Sequence, residues 1–221
     1  MKKCHIITAY IEGNLTELLL SDASNFIICA DGGYEIALSN GINPHLVIGD
    51  ADSGVMSAIH KNDAEPKPGN ANFRMPEFIY FEPQKDVSDT FLCVKHAINL
   101  GFESIEIIGG IGGRFDHTIS NIQTIAHFSS QAKTITMIDE KNFITVVENS
   151  SVSLQPKAGF SISLFSISDI CSGINTTGLQ YSLKNATLKN SYPLGLSNEF
   201  TDAEATIEVT QGKLLVIMSQ N

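Results

Sequence analysis

Hydrophobic and polar positions follow one pattern up to about residue 131 and a different one after it. In the first part, short and nearly continuous apolar runs alternate with segments of helical periodicity. Such runs are typical of parallel strands that are covered on both faces. The alternation predicts an α/β domain with a mostly parallel sheet over residues 1–131. The predicted strands are Cys4–Ala9, Asn25–Ala30, Leu46–Gly49, Phe78–Phe81 and Ile105–Gly109, and the predicted helices are Leu15–Ser21, Tyr34–Asn40, Ser53–Lys61, Asp89–Leu100 and Asp116–Ser129.

The second part, residues 132–221, shows apolar and polar residues in alternation, as in Ser161–Phe165, with Gly, Asn and Ser between the runs. This pattern predicts an all-β antiparallel sandwich domain. Its predicted strands are Lys133–Ile138, Phe143–Val147, Ser151–Leu154, Ser161–Phe165, Ala186–Leu188, Ala205–Val209 and Leu214–Met218. Within the first part, the proline-containing segment Lys61–Pro76 is predicted to be a surface loop.

Composition argues against two classes of function, nucleic-acid binding and membrane spanning. The formal net charge of -10 argues against binding along a nucleic-acid backbone, which needs clustered Lys and Arg. No apolar run approaches the roughly 18 residues that span a bilayer. The four cysteines form no CxxC pair, which favours reduced, buried thiols. These features predict a soluble cytoplasmic protein with no nucleic-acid or membrane partner.

Carboxylates follow four of the predicted parallel strands. In open α/β sheets, ligands bind outside the carboxyl ends of the strands, so these side chains should meet at one edge. Asp31, Asp52, Asp89 and Asp116 also precede predicted helices, where Asp is a good N-cap, so each alone could be a cap. The pair of Asp50 and Asp52 offers one carboxylate more than a cap needs. Together the strand ends predict a metal site.

Oxygen ligands without Cys, and histidines without HxH or HxxxH spacing, favour a hard cation over zinc. Mg²⁺ is typically held by one or two carboxylates together with substrate phosphates, so a nucleotide is the expected partner. The glycine run Gly109–Gly113 fits this expectation, because glycines let the backbone approach phosphates. It could equally be a tight strand-to-helix turn, and it is neither a P-loop nor a dinucleotide fingerprint. Arg114, directly after it, could hold a phosphate or pair with Asp116.

Six motifs, in this order along the chain, resemble those of the thiamin pyrophosphokinase family. The resemblance covers essentially the whole chain, and the domain change falls in the matching place. Two positions depart from the common family pattern: Ala51 stands where Phe is frequent, and Ser88 where Thr is commoner. The motifs are Ala30–Gly33, Gly49–Ser53, Lys85–Thr90, Gly112–His117, Thr176–Tyr181 and Gly195–Phe200.

This resemblance implies an ATP-binding and Mg²⁺-binding catalytic domain followed by a thiamin-binding β-sandwich. It also implies a homodimer with active sites at the subunit interface. The implied site residues fall into groups. Asp50, Asp52 and Asp89 match magnesium ligands and, with Asp116, form the expected catalytic set. Asp31, Lys85, Ser88, Gly112 and Arg114 are expected at ATP, and Asp116, Tyr181, Ser197 and Asn198 at thiamin.

The expected reaction transfers pyrophosphate from ATP to the hydroxyl of thiamin, giving thiamin diphosphate and AMP. Catalysis would come mainly from positioning and charge stabilisation. Asp116 could orient the hydroxyl or pair with the cationic thiamin, and the residues do not separate these roles. Two alternatives stay open: a pyrophosphokinase of the same fold that uses another acceptor alcohol, such as a pterin, and a non-catalytic sensor of nucleotide or thiamin.

Overall fold

The structure is a computed structural model that describes residues 2–19, 26–50, 75–82 and 86–221. The chain divides into two compact units, Met1–Thr124 with Gln131–Glu140, and Ile125–Ser130 with Lys141–Asn221. The predicted helix Ser53–Lys61 and most of the predicted loop Lys61–Pro76 lie outside the described residues. No helix in the described part is long and apolar enough to cross a membrane.

The first unit is built on a parallel sheet with the strand order β4-β3-β2-β1-β5-β6. Every neighbouring pair in this order is parallel. The central strands carry buried side chains on both faces, which is why their sequences read as continuous apolar runs. The strands are β1 (Lys3–Ile7), β2 (Phe26–Ala30), β3 (Leu46–Gly49), β4 (Glu77–Tyr80), β5 (Ser104–Ile108) and β6 (Thr134–Ile138).

Helices follow the strands of this unit as the alternating pattern predicts. They are α1 (Leu15–Leu19), α2 (Gly33–Ser39), α3 (Asp89–Asn99) and α4 (Phe115–Phe128). On α3 the buried residues Thr90, Cys93, Val94 and Ala97 recur at helical spacing and form one face. The predicted α/β domain is thereby confirmed.

The second unit is an antiparallel sandwich. One sheet places β13 between β7 and β9, and the other has the order β11-β10-β12-β8. Residues from both sheets, such as Ile162, Ile207 and Val216, share one buried apolar cluster. The predicted antiparallel sandwich is confirmed. Its strands are β7 (Asn142–Glu148), β8 (Ser151–Leu154), β9 (Phe160–Ser166), β10 (Ile170–Thr177), β11 (Ala186–Lys189), β12 (Ala205–Glu208) and β13 (Lys213–Gln220).

Two strands differ from the sequence-based expectation. The strand expected to open the antiparallel domain is β6, and it pairs in parallel with β5 in the first unit. The local pattern predicts that a segment forms a strand, but the fold of the whole chain decides which strand it pairs with. The alternating sequence therefore could not reveal that β6 pairs with β5. The unpredicted strand is β10, whose pairing with β11 shifts register between Cys171 and Ile174. A bulge of this kind interrupts the period-2 pattern that identifies a strand.

Candidate active site

A cavity of about 620 Å³ lies at the carboxyl ends of β1, β2 and β5, within the first unit. The beginnings of α3 and α4 complete its wall. Segments that are far apart in the sequence therefore meet at one sheet edge, as the rule for ligand sites in open α/β sheets predicts. The residues that line it are Thr8, Ala9, Tyr10, Ala30, Asp31, Ser88, Asp89, Thr90, Gly110, Gly112, Arg114, Asp116, His117, Ser120 and Asn121.

Asp31 reaches this cavity from a left-handed backbone conformation, with a φ of 43°. Its N–H donates to the carbonyl of Ile48 at 2.8 Å, and its own carbonyl accepts from the N–H of Tyr34 at 3.0 Å. A Cβ on Gly49 would stand 3.0 Å from the Cα and Oδ1 of Asp31, so glycine permits this close approach. Asp tolerates the left-handed region better than most residues, and such conformations cluster at functional sites.

Ser88 and Asp89 have different positions at the start of α3: Ser88 is the N-cap and Asp89 is the first helical residue. The Oγ of Ser88 accepts from the N–H of Phe91 at 3.3 Å, so Ser88 is the N-cap of this helix. Asp89 is the first helical residue, which removes the capping alternative considered for it. Both residues line the cavity, where the helix N-terminus favours anionic ligands.

The glycine run after β5 is a tight turn tied to its surroundings by its backbone. The N–H of Gly110 donates to the carbonyl of Tyr10 at 2.7 Å, and the N–H of Gly112 to the Oγ1 of Thr118 at 3.0 Å. The Nδ2 of the buried Asn121 donates to the carbonyl of Gly110 at 3.0 Å. The N–H of Gly112, expected at ATP, is thus already hydrogen-bonded within the protein.

Arg114 and Asp116 face each other at the rim. The guanidinium donates to the carboxylate from Nε at 3.2 Å and from Nη2 at 2.6 Å. This hydrogen bond lowers the pKa of Asp116 and raises the pKa of Arg114. Both side chains are mostly exposed, 72% for Arg114 and 64% for Asp116, so solvent screens the attraction and ligands could replace either partner.

Several residues that line the cavity were not predicted as site residues, among them Thr8, Tyr10 and Asn121. Thr8 and Tyr10 follow β1, a central strand. No carboxylate follows this strand, so its end was not predicted to be part of the site. The rule for strand ends applies to them equally and could have found them. Asn121 lies on the buried side of α4, and a lone buried amide offers no sequence signal of its own.

Three residues expected at thiamin, Tyr181, Ser197 and Asn198, lie in the second unit. The Oδ1 of Asn198 accepts from the N–H of Tyr181 at 3.0 Å, and its Nδ2 donates to the carbonyl of Tyr181 at 2.8 Å. Ser197 has a positive φ of 55°, and its N–H donates to the Oγ of Ser163 at 3.0 Å. The structure thus brings Tyr181 and Asn198 together, and Tyr181 is 66% exposed.

Comparison with known proteins decides the family. Residues 18–137 match the model of the thiamin pyrophosphokinase catalytic domain. Residues 150–214 match that of the thiamin pyrophosphokinase vitamin B1 binding domain. The chain belongs to the thiamin pyrophosphokinase family. The resemblance inferred from the six motifs is confirmed.

Relatives of this family align with most of the chain. A thiamine pyrophosphokinase of Bacillus subtilis is 25% identical over 221 residues, which are 99% of each protein. Thiamin pyrophosphokinase 1 of Caenorhabditis elegans is 24% identical over 181 residues, 80% of this chain and 71% of that protein. The crystal structure of thiamine pyrophosphokinase from Bacillus subtilis superposes with a TM-score of 0.83, covering 100% of both chains at 24% identity, and so has the same fold.

The donors in the cavity suit the magnesium ion expected for this family. Asp31 and Asp89 contribute carboxylates to its wall, and Mg²⁺ prefers such oxygen ligands. Asp50 follows β3 and is partly exposed, but it is not among the described residues that line the cavity. No three His, Cys, Asp or Glu side chains of the described residues form a metal cluster. Asp52 and Lys85 lie outside the described residues.

Proposed function

We propose that this protein transfers the pyrophosphoryl group of ATP to the primary hydroxyl of thiamin, giving thiamin diphosphate and AMP. The hydroxyl oxygen attacks the β-phosphorus, and the bond between that phosphorus and the α–β bridging oxygen breaks. AMP leaves with the bridging oxygen, and the hydroxyl proton is released. The observation that carries this proposal is the convergence of Asp31, Asp89, Arg114 and Asp116 on one cavity in a chain of this family.

Each of these side chains has a task that its position supports. Arg114 is exposed at the rim, where its planar guanidinium can hold a phosphate through two hydrogen bonds. Asp116 presents a carboxylate that stays ionised at neutral pH and can attract the cationic thiamin. The N-terminus of α3 at Ser88 and Asp89 adds a positive end of a helix dipole near the phosphates. Catalysis would then come mainly from positioning and charge.

Asp50, Asp52 and Asp89 are proposed to hold Mg²⁺, and Asp31 approaches Gly49, the residue that precedes Asp50. Bound there, the ion would neutralise phosphate oxygens and align the donor. Asp89 supports this assignment because it lines the cavity and because Ser88, not Asp89, is the N-cap of α3.

Tyr181, Ser197 and Asn198 are proposed to form the thiamin-binding surface, with the exposed Tyr181 ring as a platform. We also propose a homodimer with its active sites at the subunit interface. In its support, the second unit exposes three apolar side chains that are close together in the sequence, Tyr192, Leu194 and Leu196. Contiguous apolar surface is typical of interaction sites. Light scattering gives the mass in solution. A cytoplasmic location is proposed from the four free, buried cysteines.

A product assay tests the reaction. The purified protein is incubated with ATP, Mg²⁺ and thiamin, and AMP and thiamin diphosphate are quantified by chromatography. Equal amounts of the two products, formed only when thiamin is present, are expected. Release of ADP in place of AMP would contradict pyrophosphoryl transfer.

Further arms of the assay separate the alternatives. AMP release with a hydroxymethylpterin, but not with thiamin, would indicate a different acceptor. Binding of thiamin or ATP without any product would indicate a sensor. Chelation of divalent cations should abolish the reaction, and added Mg²⁺ should restore it. Titration of Mg²⁺ into the protein with a non-hydrolysable ATP analogue reads metal binding independently of turnover.

A further inference from the structure

Tyr10 is fastened into the wall of the cavity by its backbone. Its carbonyl accepts from the N–H of Gly110 at 2.7 Å and from the Oγ1 of Thr8 at 3.1 Å. The single hydroxyl proton of Thr8 is shared with the carbonyl of Ile108, which lies 3.0 Å from the same Oγ1. The segment after β1 is therefore tied to the end of β5, and the position of the Tyr10 side chain is set by rigid elements.

The ring of Tyr10 lies on the glycine turn. A Cβ on Gly113 would stand 2.9 Å from Cδ2 and 3.0 Å from Cε2, and a Cβ on Gly112 would stand 3.2 Å from Cε1. Carbons of both ring edges therefore approach the same turn, and the ring is held against it. Gly112 and Gly113 also have positive φ values of 89° and 61°. Glycine at these positions thus leaves room for the ring, a physical reason separate from phosphate binding.

The rest of the ring is open to ligand. Tyr10 is 44% exposed, lines the cavity and shares it with Arg114 and Asp116. A ligand that stacks on a rigidly held, accessible aromatic ring immobilises little further, so binding loses little conformational entropy. Flat heteroaromatic rings stack on such faces, and a cationic ring gains a further attraction to the ring quadrupole.

We propose that Tyr10 is a positioning residue whose exposed ring stacks on a flat heteroaromatic ring of a bound substrate. This proposal rests on the proposed function for the identity of that ring, because both substrates carry one: the adenine of ATP and the rings of thiamin. Stacking at Tyr10 would hold the substrate against the glycine turn and direct its reacting end toward Arg114 and Asp116.

Binding measurements with ring-bearing and ring-free ligands test the proposal without turnover. Calorimetry compares α,β-methylene-ATP, thiamin and inorganic tripolyphosphate on the wild type, Tyr10→Leu and Tyr10→Phe. Tyr10→Leu should weaken one ring-bearing ligand by about 5- to 100-fold and leave tripolyphosphate within about twofold. Tyr10→Phe should bind like the wild type. The ligand that is weakened identifies the ring: the nucleotide analogue indicates adenine, and thiamin indicates its own rings.

A fluorescent variant gives a second readout if Tyr10→Leu does not fold. The chain has no Trp, so Tyr10→Trp keeps an aromatic platform and introduces a unique emitter. Its emission should change on adding the ring-bearing ligand and stay constant with tripolyphosphate. Tyr192→Trp is the matched control, because Tyr192 is an exposed tyrosine, 66% accessible, of the second unit.

Several results would overturn the proposal. These are unchanged affinities in Tyr10→Leu, an equal loss of tripolyphosphate binding, and a Tyr10→Phe variant as weak as Tyr10→Leu. A constant emission of Tyr10→Trp would overturn it as well. Failure of the proposed function looks different: the wild type would release no thiamin-dependent AMP while ring-bearing ligands still bound in a Tyr10-dependent way.

Discussion

The cavity of the first unit and the Tyr181–Asn198 region of the second unit use their polar side chains differently. At the cavity, Arg114 and Asp116 are largely exposed and pair with each other, and ligands can displace this pair. The Oδ1 of Asp116 also accepts from the N–H of His117 at 3.0 Å. In the second unit, Asn198 is buried and both ends of its amide are hydrogen-bonded to the backbone of Tyr181. The first arrangement presents charge to a ligand, whereas the second shapes a surface.

A motif residue can therefore contribute to a site in two ways: it can contact the ligand directly, or it can position another residue that does. Asp116 can act directly, since its carboxylate is accessible. Asn198 has its amide engaged within the protein, and its Oδ1 additionally accepts from the N–H of Glu199 at 3.0 Å. A contribution of Asn198 to thiamin binding would therefore act through the placement of the Tyr181 ring and the left-handed turn at Ser197.

The largest effect is expected from Asp89→Asn in the cavity. The change removes a carboxylate that lines the cavity while the cap from Ser88 stays, so the fold should be intact. Loss of one preorganised charge should lower kcat/KM for AMP release by about 100- to 1000-fold. The melting temperature should change little. Glu103→Gln is the control, because Glu103 directly precedes β5 at the opposite end of the sheet. Near-wild-type turnover of Asp89→Asn would refute its assignment.

Asn198→Ala tests whether the second region is structural. The substitution removes the three hydrogen bonds of the buried Asn198 amide to the backbone of Tyr181 and Glu199. This loss should lower the free energy of unfolding by roughly 2–3 kcal/mol. Denaturant unfolding measures this loss. Asn190→Ala is matched to it, because Asn190 is exposed and its Nδ2 bonds only to the carboxylate of Asp169 among the hydrogen bonds described here. That control should cost under about 0.5 kcal/mol. Equal losses in the two variants would contradict the structural role.

Glu106→Gln sharpens the comparison within the first unit, away from the cavity. Burial raises the pKa of Glu106, but hydrogen bonds from His5 and Lys3 outweigh it, and the pKa is lowered overall. The carboxylate lies 3.0 Å from His5 Nδ1 and 3.1 Å from Lys3 Nζ. The substitution should cost about 1–2 kcal/mol of unfolding free energy at pH 7.

The sign of the pH dependence follows from the lowered pKa. Stability from the Glu106 carboxylate is fully present above the pKa of the unfolded chain and is lost as pH falls through the folded pKa. The wild type and Glu106→Gln should therefore differ at neutral pH and converge in acid, below the usual range of a glutamate. Urea unfolding from pH 7 to pH 3 measures the difference. A gap that persists unchanged at pH 3 would argue against this ion pair.

The candidate site divides into residues that sequence reasoning could find and residues that it could not. Asp31, Ser88, Asp89, Gly112, Arg114 and Asp116 were predicted as site residues and all line the cavity. They follow strands or begin helices, and these positions can be recognised from local periodicity. The strand-end rule could have found Tyr10 itself, but it could not reveal the contact of its ring with Gly112 and Gly113, about a hundred residues away along the chain. The bulged strand β10 was not predicted, because its register shift interrupts the alternation of apolar and polar residues that identifies a strand.

Local pattern alone was sufficient for the two fold classes and for the order of the carboxylates along the chain. Strand and helix periodicity depend on near neighbours, and parallel strands deliver their carboxyl ends to one edge by geometry. Tertiary structure decided the partner of β6, the amide of Asn198 that supports Tyr181, and the ring of Tyr10 on the glycine turn. Each of these depends on contacts between segments distant in sequence, which no local periodicity encodes.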